Sequence, residues 1–193
     1  MTCLKSSFRS NRGLKSEQTP FVIVTPRLGQ KAPEFVLPDS ENNPRSLGEF
    51  TKQGTVALAF FPFAFSGICD KEMCTFRDSL GTLRAFKAMI VGISVDSAYS
   101  LRAFAKTYNL QFPLLSDFNR RVSKLYCVLQ ESWIGLGYKG VVRRSLFLVD
   151  GRGILRYRWL ATAPSEEPPY QDVMRAAEKL SLQPTIFIRA KKR

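Results

Sequence analysis

From Phe21 onward the chain alternates between short runs that are almost wholly apolar and longer stretches whose apolar residues recur every three or four positions. Runs of the first kind read as strands and stretches of the second as helices. Phe21-Val22-Ile23-Val24 and Glu34-Phe35-Val36-Leu37 are short strand-like runs, and Glu41-Asn42-Asn43-Pro44 carries turn residues. Val56 to Phe61 is apolar at every position, the pattern of a central strand covered on both faces. Pro62 ends it, and Ser66-Gly67 opens a helix predicted from about Ile68 to Phe86 with a kink at Gly81. Met89 to Val95 is a second buried strand. A helix from about Ala98 to Tyr108 follows, with Leu101, Phe104 and Ala105 on one face.

The second half continues with a short strand at Leu114-Leu115 and a helix from about Arg120 to Tyr126. Ser145 to Val149, the turn Asp150-Gly151-Arg152-Gly153 and Ile154 to Trp159 form a hairpin, and a last helix spans about Tyr170 to Leu180. Two β-α-β units followed by a hairpin and a helix predict an α/β, thioredoxin-like fold: a central mixed sheet with helices on both faces. Residues 28–180 are expected to form this domain. Residues 1–27 read as a basic, flexible extension and 181–193 as a basic tail.

Composition narrows the chemistry. With 193 residues the chain can bury a core without disulfides or metal. It contains no histidine, which removes Ser-His-Asp hydrolysis, imidazole bases and most zinc or non-haem iron sites. The net charge is +13, but residues 1–27 and 189–193 each contribute +4, so most of the excess lies in the ends. Nucleic acid is therefore not expected as a partner, although a basic nucleic-acid-binding or holdase protein on the same fold is the non-enzymatic alternative. The longest apolar run, Val56 to Phe65, is interrupted by Pro62 and falls short of the ~20 residues that cross a bilayer, so a soluble protein is expected. Four cysteines, Cys3, Cys69, Cys74 and Cys127, do not make a secreted disulfide framework. The expected compartment is reducing and cytoplasmic, or an organelle if the basic, Ser-bearing start is a transit peptide.

The informative stretch runs from Pro62 to Cys74, PFAFSGICDKEMC. It leaves a central strand, turns, and delivers Cys69 to the first turn of a helix, in the crevice where open α/β sheets bind ligands. Helix amides and the positive dipole end favour a thiolate, which predicts a thiol below its free value of about 8.5. The competing reading of any single cysteine is a small buried core residue. Cys69 fits the activation context better than the packing one.

These residues resemble the peroxiredoxin family, whose P-x-x-x-T/S-x-x-C motif is matched by Pro62, Ser66 and Cys69. A family Glu three positions after the Cys is matched by Glu72, and the family's later Arg by Arg144. Gly29 to Phe35, Val91 to Asp96 and Phe112 to Asp117 extend the similarity over about residues 28–180. The resemblance implies peroxide reduction without cofactor or metal. Cys69 would attack a peroxide oxygen and become a sulfenic acid, while Arg144 supports the thiolate and the leaving oxygen. Ser66 would donate its hydroxyl to thiolate or peroxide, and Pro62 would stiffen and shield the loop. Period-two alternation sends Arg143 and Arg144 to opposite faces, and the family register selects Arg144. Glu72 reads either as an orienting partner for that arginine or as an exposed first-turn carboxylate.

The C-x4-C spacing of Cys69 and Cys74 resembles the peroxiredoxin Q or bacterioferritin comigratory type, in which the second Cys resolves the sulfenic acid into a disulfide. The upstream Phe60 to Gly67 looks more like one-Cys and alkyl hydroperoxide reductase-like members, so a one-Cys cycle with an external thiol stays open. Residues five apart on a helix are rotated by ~140° with Cα atoms ~8.7 Å apart, beyond the ~7 Å a disulfide spans. A bond between them requires that turn to unwind. Cys74 is the expected resolver, with core filler as its competing reading; Cys127 is expected in the core and is the reserve resolver, and Cys3 is incidental. No C-x2-C knuckles suggest zinc, and no C-x-x-C suggests a disulfide oxidoreductase. Trp133 and Trp159 read as packing residues, Trp133 bordering the pocket at most. The implied partners are a peroxide and thioredoxin or a similar thiol reductant, for a monomer or homodimer.

Overall fold

The computed structural model describes residues 26–132 and 137–182. The Phe21 run, Cys3, Trp133, residues 1–25 of the N-terminal extension and residues 183–193 of the tail lie outside these residues. The chain centres on strand β3 (Thr55–Phe60), buried at every position as its unbroken apolar run dictates. A small antiparallel pair, β1 (Val36–Pro38) and β2 (Pro44–Ser46), and a short helix α1 (Leu47–Thr51) precede it. The turn at Glu41 to Pro44 thus leads into a strand that the sequence reading did not contain, with Pro44 at its first position, where a missing N–H is tolerated. Helix α1 was also not anticipated. Its signal is the Ser46-Leu47-Gly48-Glu49 cap, in which Ser46 Oγ accepts from Glu49 N at 3.1 Å.

After β3 come α2 (Gly67–Asp78) and α3 (Leu80–Ala85), then β4 (Ala88–Ser94) and α4 (Ala98–Thr107). The expected kink at Gly81 is corrected: the break falls at Ser79, and Gly81 sits inside α3. At that break Ser79 Oγ donates to Thr75 O at 2.8 Å, beside the Ser79 N–H that bonds the same carbonyl at 3.1 Å. The chain continues through β5 (Leu114–Ser116), α5 (Arg121–Leu125), β6 (Leu129–Gln130), β7 (Val141–Val142), β8 (Ser145–Val149), β9 (Leu155–Leu160) and α6 (Tyr170–Ser181). The β6–β7 pair is another small sheet not read from sequence, because two residues carry no period.

The main sheet has the order β5-β4-β3-β8-β9. β3, β4 and β5 run parallel, while β8 is antiparallel to β3 and β9 to β8. Alternation along β3 divides the core: Val56, Leu58 and Phe60 pack with α1, α5 and β1 on one side. Ala57 and Ala59 pack with α2, α4 and α6 on the other, where Trp159 also packs. The expected mixed sheet with helices on both faces is present. Gly92 of β4 makes room for the Leu114 side chain of the neighbouring strand β5, because a Cβ there would meet Leu114 Cδ2 at 2.6 Å and Phe61 Cε1 at 3.3 Å. Register then sets the site. Ser145 opens β8 opposite Phe60, so Arg144, one residue earlier, lies beside the end of β3 from which the Pro62 to Ser66 loop departs.

Candidate active site

The loop from Pro62 to Ser66 is pinned from β4. Asp96 Oδ2 accepts from Ala64 N at 2.7 Å and from Ser94 Oγ at 2.8 Å, so one carboxylate holds the loop backbone against the strand end. Pro62 is buried. Phe65 takes the left-handed backbone (φ 60), which a non-glycine residue adopts only against a steric cost. Its ring packs on Phe104 and Tyr108 of the α4 end, with centroids 5.1 and 6.3 Å away. Ser66 starts α2, yet its hydroxyl donates to Phe63 O at 2.9 Å rather than accepting from the helix amides.

Cys69 is the third residue of α2 and 1 % exposed. Its own N–H is spent on Ser66 O at 2.7 Å. Arg144 Nη2 donates to Cys69 Sγ at 3.3 Å, and Arg144 Nη1 donates to Glu72 Oε2. Glu72, one helical turn beyond Cys69, is fully buried. The two readings of Glu72 are thereby resolved: it is the arginine's partner and not an exposed first-turn carboxylate. Arg143 goes elsewhere, donating through Nε to Ala161 O at 2.5 Å. Pro62, Ser66, Cys69, Glu72 and Arg144 are therefore brought to one place.

One expectation needs correction. Burial pushes the Cys69 thiol up from its ordinary value, and this outweighs the pull toward thiolate of the Arg144 charge, the Ser66 side chain and the Phe63 backbone. The expected lowering at a helix start counted the dipole and not the desolvation of a sulfur enclosed by apolar neighbours such as Phe61, Met73 and Phe76. Burial likewise pushes Glu72 up to about 7, although Arg144 lowers it through charge and hydrogen bond. Arg144 is drawn down by burial, yet Glu72 and Cys69 together hold it above its ordinary value. Arg144 Nε and Glu72 Oε1 find no hydrogen-bond partner among the described residues.

A pH dependence follows from Glu72. A carboxyl whose folded value lies above its unfolded one binds its proton more tightly when folded, so its stabilising effect is full at low pH and is lost as pH rises through the folded value. Between 4.5 and about 7 the unfolding midpoint is expected to decline through this group. Glu72→Gln, a neutral isostere, should flatten that decline. Parallel pH profiles of denaturant midpoint for the two proteins would contradict it.

Cys74 lies on the same unbroken helix, half-buried, five positions past Cys69. Cys127 follows α5 in the left-handed conformation (φ 54). There its N–H bonds Lys124 O at 3.0 Å and the next N–H, of Val128, bonds Ser123 O at 2.9 Å, a helix-closing motif. Its neighbours Tyr126 and Val128 pack in the cluster of the opposite sheet face from that of Cys69. The expected core thiol is half-buried. Sequence reasoning missed several supporting residues. Glu167 accepts from Lys71 Nζ at 2.6 Å and from Tyr170 Oη at 3.1 Å. Both acidic partners, Glu167 and Glu72, act electrostatically on Tyr170, whose hydroxyl is pushed up chiefly by burial. No local spacing announces these partners; Asp96 alone stood in a segment already noted.

The chain is similar to known proteins over most of the described residues. The sequence profile of the AhpC/TSA family covers residues 28–158. The chain is 38% identical over 133 residues to the putative peroxiredoxin bcp of Coxiella burnetii, covering 68% of this chain and 87% of that protein. It is 35% identical to the chloroplastic peroxiredoxin Q of Sedum lineare over 151 residues, 78% of this chain and 77% of the relative. Among solved structures, peroxidoxin BcpB of Mycobacterium tuberculosis superposes with a TM-score of 0.71 at 28% identity, covering 82% of this chain and 99% of the other.

Proposed function

We propose, for a chain that belongs to the AhpC/TSA family and is a thiol-dependent peroxidase of the peroxiredoxin kind, that Cys69 is its peroxide-attacking thiol and Cys74 its resolving thiol. The observation that carries the first assignment is the Arg144 fork, which meets Cys69 Sγ at 3.3 Å with one amino group while Glu72 holds the other. Glu72 fixes the plane of the guanidinium, and the fork donates where charge moves during attack.

The Cys69 thiolate attacks one oxygen of the hydroperoxide. The O–O bond breaks, the distal oxygen leaves as water or alcohol after taking a proton, and sulfur is oxidised to a sulfenic acid. Cys74 sulfur then attacks Cys69 sulfur, its proton leaves with the hydroxyl as water, and a disulfide forms. Two electrons and two protons from a dithiol reductant of the thioredoxin type restore both thiols. Support for Cys74 is its place on α2, near enough for high effective concentration, on a helix that must open locally because intact geometry keeps the two sulfurs apart.

Peptide mass mapping after one equivalent of peroxide tests the assignment. A Cys69–Cys74 disulfide is expected. Cys74→Ser should keep the first peroxide-consuming step, accumulate sulfenic and then sulfinic acid at Cys69, and lose thioredoxin-driven turnover. A Cys69–Cys127 bond, a bond between two chains, or lasting sulfenic acid in the unmodified protein would reject Cys74 as resolver. The last two would select the one-Cys or intermolecular cycle.

A further inference from the structure

Tyr108 closes α4 and touches the active-site segment at three levels. Its ring meets that of Phe65 in the loop before α2, with centroids 6.3 Å apart. Its hydroxyl donates to Asp70 Oδ2 at 2.8 Å, on the residue directly after Cys69. Its carbonyl accepts from Arg77 Nη1 at 2.7 Å, two helical turns further on. Asp70, Cys74 and Arg77 follow at spacings of four and three, so they share one face of α2, with Cys74 between the two attachment points. The Tyr108 hydroxyl is held above its ordinary value first by the Asp70 bond, then by burial and by the charges of Asp70 and Cys74, which agrees with Cys74 lying near it.

From this three-point attachment we infer that Tyr108 is a positioning residue that staples α2 in its closed form and sets how fast Cys74 can reach oxidised Cys69. The inference rests on the reading of Cys74 as resolver. Unwinding the turn between Cys69 and Cys74 displaces Asp70, so the Tyr108 to Asp70 bond must break before the disulfide can close. A tight staple lengthens the life of the sulfenic acid and exposes it to a second peroxide, whereas a loose one favours the disulfide. The staple touches neither Cys69 Sγ nor Arg144, so the first oxidation should not depend on it.

Tyr108→Phe removes the hydroxyl and keeps the ring on Phe65 and the carbonyl on Arg77. Rapid-quench mass analysis should show the Cys69–Cys74 disulfide forming roughly tenfold faster, the scale of losing one hydrogen bond to a charged acceptor. The rate of first oxidation should be unchanged, and the peroxide dose that gives half sulfinic acid should rise. Asp70→Asn, which weakens the same bond from the other side, should shift resolution in the same direction, and the double variant should add little to either single one. An unchanged resolution rate in Tyr108→Phe overturns the inference. Hydrogen exchange separates its failure from that of the resolver reading. Amides 69–77 of reduced Tyr108→Phe should exchange faster while those of β3 do not, even if mapping finds no Cys69–Cys74 bond. Equal exchange in both proteins, or faster exchange throughout, rejects the staple.

Discussion

Cys69→Ser is expected to bring peroxide consumption down to the uncatalysed level. A serine hydroxyl keeps the shape of the side chain, but its proton is far harder to remove than a thiol's, and oxygen is a much poorer nucleophile toward the O–O bond. The variant should still fold, since the Arg144 to Glu72 pair and the apolar seat of residue 69 among Phe61, Met73 and Phe76 are untouched. Competition kinetics with a second peroxide scavenger measure the loss directly. Turnover equal to that of the unmodified protein would transfer the role to Cys74 or Cys127. The variant also isolates Cys74, which should stay reduced at peroxide doses that oxidise the unmodified chain.

Much of the fold follows from local pattern, and the site only in part. Strand β3 is legible because Val56 to Phe61 leaves no polar position, and the loop and helix start follow from Pro62 and Ser66-Gly67. Helix α1 was within reach through the Ser46 and Glu49 cap, although five residues show no hydrophobic period. The break at Ser79 was hidden because a glycine two residues on offered a more familiar cause. Arg144 could be joined to Cys69, 75 residues away, only through family resemblance, since register between β3 and β8 is not written in either segment alone. The fate of Glu72 and the direction of the Cys69 shift both depend on burial, which spacing does not reveal. Asp96 on Ala64 and Tyr108 on Asp70 are contacts 32 and 38 residues apart, between elements whose pairing is a property of the finished fold.

Arg144→Met should slow the first oxidation by about 10² to 10³, the usual range for removing a donor aimed at developing charge. Its loss also removes the foremost pull toward thiolate, leaving burial to raise the Cys69 thiol further. Stability should suffer for a separate reason: Glu72, fully buried, loses its counter-charge, and breaking a buried pair from one side costs about 3 to 5 kcal/mol. Because burial already places Glu72 at about 7, the unpaired carboxyl can escape part of that cost by taking a proton. Because Arg144 lowers Glu72, its loss raises the carboxyl further, so the stability deficit should shrink as pH falls from the alkaline side toward neutrality, while the rate deficit remains. Arg144→Met combined with Glu72→Gln separates the two effects, because a neutral amide needs no counter-charge. The double variant should recover most of the lost stability and none of the rate. Stopped-flow oxidation and denaturant unfolding on the same four proteins decide it: a double variant that regains rate along with stability would show that Arg144 serves the fold rather than the chemistry.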